Sequence, residues 1–278
     1  MADTNNSVGS PKGGVDFLSI LGLVVALVGI LGGLILEGGK LGDVAQLTAA
    51  IIVLGGTAGA VMVSTPGSIL KGAIIRLLGV FRDPLPPIDA VLEELVGYAA
   101  KARKSGLVAL DDEANHAADP FLRKTLMLAV DGTDIQELRI MMELDMSISE
   151  HHAEAEAKVL ESAGGYAPTI GIIGAVLGLI QVMKNLSNID EVGHGIAVAF
   201  VATVYGVALS NLFFLPAASK MKARAHAETE RRELILEGVA GIIEGMNPKL
   251  IRAKLEAYTH GSSKKTATGA DARRPVEA

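Results

Sequence analysis

The chain has no cysteine and no tryptophan among its 278 residues. The first absence excludes a disulfide scaffold, a thiol nucleophile and a thiolate metal site. Aromatic residues make up only 4%, which argues against an aromatic-lined pocket or a β-sandwich core. There is no basic excess either. The formal net charge is -6, whereas a nucleic-acid binder would need a basic stripe. Leu, Ile, Val, Ala and Gly fill the chain instead: 50% of its side chains are hydrophobic, 32 residues are glycine, and the mean hydropathy is +0.41. Soluble domains carry about 25% charged residues; this chain carries 20%, unevenly spread. Such a composition belongs to closely packed membrane helices.

Charge is missing altogether from four stretches, Phe17–Leu36 and residues 44–70, 162–183 and 195–219. Each is long enough to cross a bilayer, which takes about 20 residues of helix. The expected fold is therefore all-α: a polytopic membrane protein with four transmembrane helices and a helical cytoplasmic domain. Of the 25 Lys and Arg residues, 23 lie on one side of these spans, and only Lys40 and Lys184 occupy the two short loops. The positive-inside rule then places both termini and the long middle segment in the cytoplasm. The resulting division is a flexible N-terminus (1–14), a first transmembrane hairpin (15–70), a helical cytoplasmic domain (71–161), a second hairpin (162–219), a helical tail (220–260) and a disordered C-terminus (261–278). The first span reads as uncleaved, because its apolar region is too long for a signal peptide.

Between the hairpins, Val91, Leu92, Leu95, Val96 and Ala99 mark one face of a helix over residues 88–104, stopped by Gly106. A second run, 120–130, ends at Asp131-Gly132, and a third covers 134–161. After the last span a charged helix continues over 220–244. Asn247-Pro248 then reads as an N-cap with proline at the first helical position.

Inside the spans, Gly55 and Gly59, and Gly171, Gly174 and Gly178, have the spacing that lets helix backbones approach. His151-His152 with nearby glutamates lacks a second helix of ligands, so a solvated face is the favoured reading and no metal or cofactor is expected. No nucleophile stands in a catalytic context, so the chain is not expected to be an enzyme. The spans hold no carboxylate, lysine, arginine or histidine. Their deep polar residues are neutral: Thr48, Thr57, Thr169, Gln181, Thr203, Tyr205, Ser210 and Asn211. Proteins that move ions place a titrating side chain at depth, so either this chain moves none or another subunit supplies the group. Pro168 and Pro216 each remove a helix hydrogen bond. Spacing alone leaves a hinge and a merely shaped helix equally open.

Several stretches together carry a family resemblance: GYAPTIGIIGAVLGLI (165–180), GIAVAFVATVYGVALSN (195–211), FFLPA (213–217), DFLSILG (16–22) and ARKSGLVALDD (102–112). They resemble the flagellar stator subunits of the MotA and PomA type, within the MotA/TolQ/ExbB superfamily, over roughly residues 15–258. The resemblance implies a ring of five such subunits around two copies of a MotB-type single-span partner, whose transmembrane Asp is the titrating group. It implies a bacterial inner-membrane location, and a cytoplasmic domain that engages a FliG-type rotor protein. TolQ- and ExbB-like energisers, the near alternative, have three spans. The first hairpin argues against them, and a passive membrane scaffold is the remaining alternative.

By the same resemblance Arg103 and Asp111 are the rotor-facing charges, with Lys104 and Asp112 as auxiliaries. Pro168 and Pro216 couple ion movement to the cytoplasmic domain. The sodium-type relatives carry a threonine where this chain has Ala175, and a second where it has Thr203. Loss of one hydroxyl from a sodium cage points to protons as the coupling ion. Thr203, for its part, could simply bond its own helix backbone.

Overall fold

The computed structural model describes residues 14–79, 82–83 and 87–268, and it is helical almost throughout. The expected flexible stretch lies outside these residues except for Gly14, which with Val15 (β1, Gly14–Val15) pairs antiparallel to β2, Arg82–Asp83. Among the described residues, four helices are long and apolar enough to span a membrane, as the charge-free stretches predict. The chain divides into two compact bodies. One takes its described residues from 14–83 and 151–224, the other from 87–150 and 225–268.

The first body holds the spans. Helix α1, Phe17–Leu36, has no buried residue. Its N-terminus is capped by Asp16, whose side chain accepts from Ser19 N at 3.2 Å. Asp16 also pairs with Lys220, while Arg224 donates to the carbonyl of Gly79 at 2.5 Å. Helix α2 runs Leu47–Ser64, not to residue 70 where the charge-free stretch ends. Pro66 disfavours a helical conformation for the residue before it. Thr65 is accordingly extended (φ -130, ψ 131), and the chain restarts as α3, Gly67–Gly79. Leu77 of α3 packs against a buried cluster that includes Ala157, Leu160, Ala217 and Met221. Arg76 pairs with Glu156 at 2.5 Å. Residues 71–79, expected with the cytoplasmic domain, thus belong to the span body.

The second body is built from α4 (Ile88–Ser105), a 3-10 turn (Leu107–Leu110), α5 (Asp111–His116), α6 (Pro120–Val130) and parts of three longer elements. Those are α7 (Ile135–Lys184), α9 (Leu215–Ile243) and α10 (Pro248–Thr268). One core unites Leu95, Leu110, Leu126, Leu138, Met142, Leu234, Ile235, Ile251 and Leu255; each such side chain contributes about 1.5–3 kcal/mol by leaving water. Asn247 caps α10, accepting from Lys249 N at 3.0 Å. The helix reaches Thr268, eight residues into the stretch expected to be disordered. Propagating an existing helix costs far less than nucleating one, and this segment offers Lys264, Lys265 and Ala267 as good helix formers. Residues 269–278 lie outside the described residues.

Candidate functional site: a glycine seam and a charged hairpin

The last apolar stretch is one helical course made of α8 (Ile189–Ala208), a π turn (Leu209–Phe214) and the start of α9. The expected third span and the cytoplasmic run before it are one continuous helix, α7. Where α7 meets α8, glycine removes the side-chain layer. A Cβ built on Gly171 would lie 2.9 Å from the carbonyl oxygen of Ala202, and one on Gly178 would lie 2.7 Å from that of Gly195. Backbones that close exclude a side chain at either position, so this glycine spacing is packing, as the sequence implied. Gly55 and Gly59 differ, with no such neighbour within 4 Å; Gly56 of α2 faces Ile170 instead.

Ala175 and Thr203 flank this seam, next to Gly174 and Ala202, whose side chain lies 2.7 Å from the Cβ position of Gly174. Both are half-buried. The Thr203 hydroxyl donates to the carbonyl of Ala199 at 3.2 Å, so its proton is taken by its own helix while its oxygen lone pairs stay available. Tyr205 ties α8 to the start of α2. Its hydroxyl donates to the carbonyl of Val44 at 2.5 Å and accepts from Gln46 N at 3.3 Å. Thr57 Oγ1 is buried with no hydrogen-bond partner among the described residues.

Pro168 lies inside α7 and is half-buried. Ser210, in the π turn, donates from its hydroxyl to the carbonyl of Gly164 at 2.7 Å. Pro216 is the second residue of α9, one residue after the π turn ends. The wider turn accommodates a ring that would otherwise press on the carbonyl four residues back. A groove of about 300 Å³, lined in part by Gly22, Ala26, Phe213 and Pro216, lies beside it. The helix therefore has open space where it carries one hydrogen bond fewer.

The charged residues occupy the α4–α5 hairpin. Gly106, at φ +81, ends α4, and its N–H bonds the carbonyl of Ala102 at 2.8 Å. That left-handed conformation favours glycine. Leu110, fully buried, anchors the connecting turn, and α5 opens with Asp111 and Asp112. Arg103, Lys104, Asp111 and Asp112 are all exposed. Arg103 and Lys104 close α4 and the two aspartates open α5, so each charge also complements its helix dipole. The structure does not pair Arg103 with Asp111. The bridge across the hairpin is Lys101 to Glu113, and the Lys101 hydrogen bond holds the Glu113 carboxyl below its ordinary pKa. Between the two charge pairs stands Val108, 74% exposed.

Lys101, Glu113 and the cross-helix roles of Ser210 and Tyr205 are features that sequence reasoning missed. The two hydroxyls, both on the last span, were visible as neutral polar groups, but their partners lie 46 and 161 residues away.

A family model described as the MotA/TolQ/ExbB proton channel family matches residues 113–234, and one described as motility protein A N-terminal matches residues 20–104. Motility protein A of Bacillus subtilis (strain 168) is 34% identical over 248 residues, covering 88% of this chain and 91% of the relative. A solved structure of C. jejuni MotAB is similar with a TM-score of 0.84 and 35% identity, covering 87% of this chain and 95% of that one. The flagellar MotAB stator complex from Bacillus subtilis is similar with a TM-score of 0.81 and 33% identity, covering 91% and 98%.

Proposed function

The chain belongs to the MotA/TolQ/ExbB proton channel family, and from that membership and the seam's chemistry we propose that it works as a MotA-type stator subunit, joined to a single-span MotB-type partner in a proton-conducting complex that turns a flagellar rotor. The family is one of channel subunits, not of enzymes. One observation carries the reading: the four charge-free stretches hold no Asp, Glu, Lys, Arg or His. A conducting pathway needs a titrating group at depth, so the partner's transmembrane Asp supplies it. The half-buried Thr203 oxygen and the glycine-lined contact of α7 with α8 flank the route. The similarity to solved MotAB complexes supports a partner of this kind.

In this reading the subunits form a ring of five in the bacterial inner membrane with both termini cytoplasmic. Arg103, Lys104, Asp111 and Asp112 face a FliG-type rotor protein. Pro168 and Pro216 are the coupling points, because a helix that already lacks a bond bends at small cost. Ala175 offers no oxygen to a sodium ion, which must exchange its water for several fixed ligands; a proton needs no such cage.

The test is co-expression with a one-span protein carrying a transmembrane Asp and a cell-wall-binding domain, in cells lacking their own stators. The two proteins are expected to co-purify and to restore swimming, and an Asp→Asn partner is expected to co-purify without restoring it. Absence of a complex, or swimming with the Asn partner, would overturn the proposal.

A further inference from the structure

Pro168 has no N–H, so the carbonyl of Gly164, four residues earlier in α7, has no donor from its own helix. Apolar surroundings do not tolerate a bare carbonyl, and in membrane helices a neighbouring hydroxyl is one of the groups that restores the bond. Here the restoring group is the Ser210 hydroxyl, 2.7 Å away on a residue only 2% exposed. The approach is close on both sides. A Cβ on Gly164 would lie 2.6 Å from Leu215 Cδ2 and 3.6 Å from Phe214 Cβ. The donor sits within the π turn Leu209–Phe214, which ends one residue short of Pro216. One proline thus frees the acceptor, and the turn beside the other delivers the donor.

We propose that Ser210 is a positioning residue that joins the two proline breaks into a single hinge, so that a bend at Pro168 is transmitted to the start of α9 through the Gly164 carbonyl. This rests on the reading of Pro168 and Pro216 as coupling points. Without the hydroxyl the two breaks move independently: the complex still assembles, and ion passage is less often converted into rotation. One net hydrogen bond shifts a two-state equilibrium roughly fivefold, and a stall-torque loss of that order is expected.

The experiment is a double-mutant cycle with Ser210→Ala, Pro168→Ala and their combination, each in the full complex. Assembly is read by co-purification with the partner, and stall torque by a bead on a single motor. In Pro168→Ala the new N–H returns to Gly164, so the acceptor no longer depends on Ser210. The expected result is that Ser210→Ala assembles normally and loses torque several-fold, while the double variant matches Pro168→Ala. Unchanged torque in Ser210→Ala, multiplied losses in the double variant, or failure of Ser210→Ala to assemble would each overturn the inference. Full torque in Pro168→Ala would instead overturn the proline reading and, with it, the joint hinge inferred from it.

Discussion

Asp119 and Arg231 are expected to fail unequally when each is removed. They form an ion pair in the cytoplasmic body, with side chains 12% and 10% exposed. Asp119 has two further donors, since its Oδ1 accepts from Phe121 N at 2.7 Å and from Leu122 N at 3.2 Å as the N-cap of α6. Arg231 has no comparable substitute, and its Nε is buried without a hydrogen-bond partner among the described residues. Breaking a buried pair from one side costs about 3–5 kcal/mol, because the other charge is stranded. Asp119→Ala strands the guanidinium and also removes a cap worth about 1 kcal/mol, so about 4–6 kcal/mol is expected. Arg231→Met leaves a carboxylate still held by two N–H groups at a helix N-terminus, so about 2 kcal/mol is expected. At roughly 2–4 °C per kcal/mol for a chain of this size, the two variants separate clearly in melting temperature. The assay is far-ultraviolet circular dichroism of the purified complex in one detergent. Asp119→Asn combined with Arg231→Met strands no charge and keeps a good cap, so it should cost less than Asp119→Ala alone. If Arg231→Met melts as low as Asp119→Ala, or the combination melts lower than both, the reasoning is refuted.

Glu237 accepts a two-pronged hydrogen bond from Arg139 and another from Lys254, which hold its pKa at about 2 against an ordinary 4.5. A depressed carboxylate stabilises the fold above its unfolded pKa and loses that contribution as pH falls through the folded value; Glu237→Gln should therefore flatten the acid melting curve between about pH 4.5 and 2, and an unaltered curve would count against the pairing. Tyr205→Phe leaves the carbonyl of Val44 and the N–H of Gln46 without their shared partner, at a cost of about 1–3 kcal/mol, seen as faster proteolysis of the loop between α1 and α2; cleavage at the normal rate would refute the tie. Arg103→Glu should leave the melting temperature unchanged, since exposed charges contribute about 0–1 kcal/mol. It should shrink swarm diameter, with partial rescue by an opposite charge change on the rotor; normal swarming with both Arg103 and Asp111 reversed would exclude their proposed role. Swimming speed at fixed proton-motive force should not depend on sodium concentration, and arrest in potassium buffer would show that Ala175 does not set the ion.

Elements whose limits are local were legible. The first span has the predicted limits, Phe17–Leu36, because charge stops and starts there. Helix α6 also has its predicted limits, with Asp119-Pro120 opening it and Asp131-Gly132 closing it. The end of α2 is not legible in the charge pattern because Thr65-Pro66 is as uncharged as its surroundings, and only the backbone restriction imposed by proline breaks the run. The continuity of α7 through a charged half and an apolar half was hidden by the composition change that marks a membrane boundary but does not interrupt a helix. The π turn before Pro216 has no periodic signature at six residues. In the candidate site, residue types were visible but partners were not. Lys101, two positions from Arg103, forms the bridge across the hairpin, and nothing in the spacing distinguishes it from its neighbours. Roles such as rotor contact came from family resemblance, which compares whole stretches and not single spacings.

Because the hairpin is held by Leu110 in the core and by the Lys101–Glu113 bridge, the four charges displayed on it carry little of the folding load. Under the proposed rotor contact, recognition and foldedness are therefore inherited separately at this surface. A lineage whose rotor drifts in charge can follow by exchanging Arg103, Lys104, Asp111 or Asp112 in small steps, with every intermediate still a folded subunit. The same separation makes the hairpin a natural graft point, where the charge pattern of one motor can be transplanted onto the stator of another.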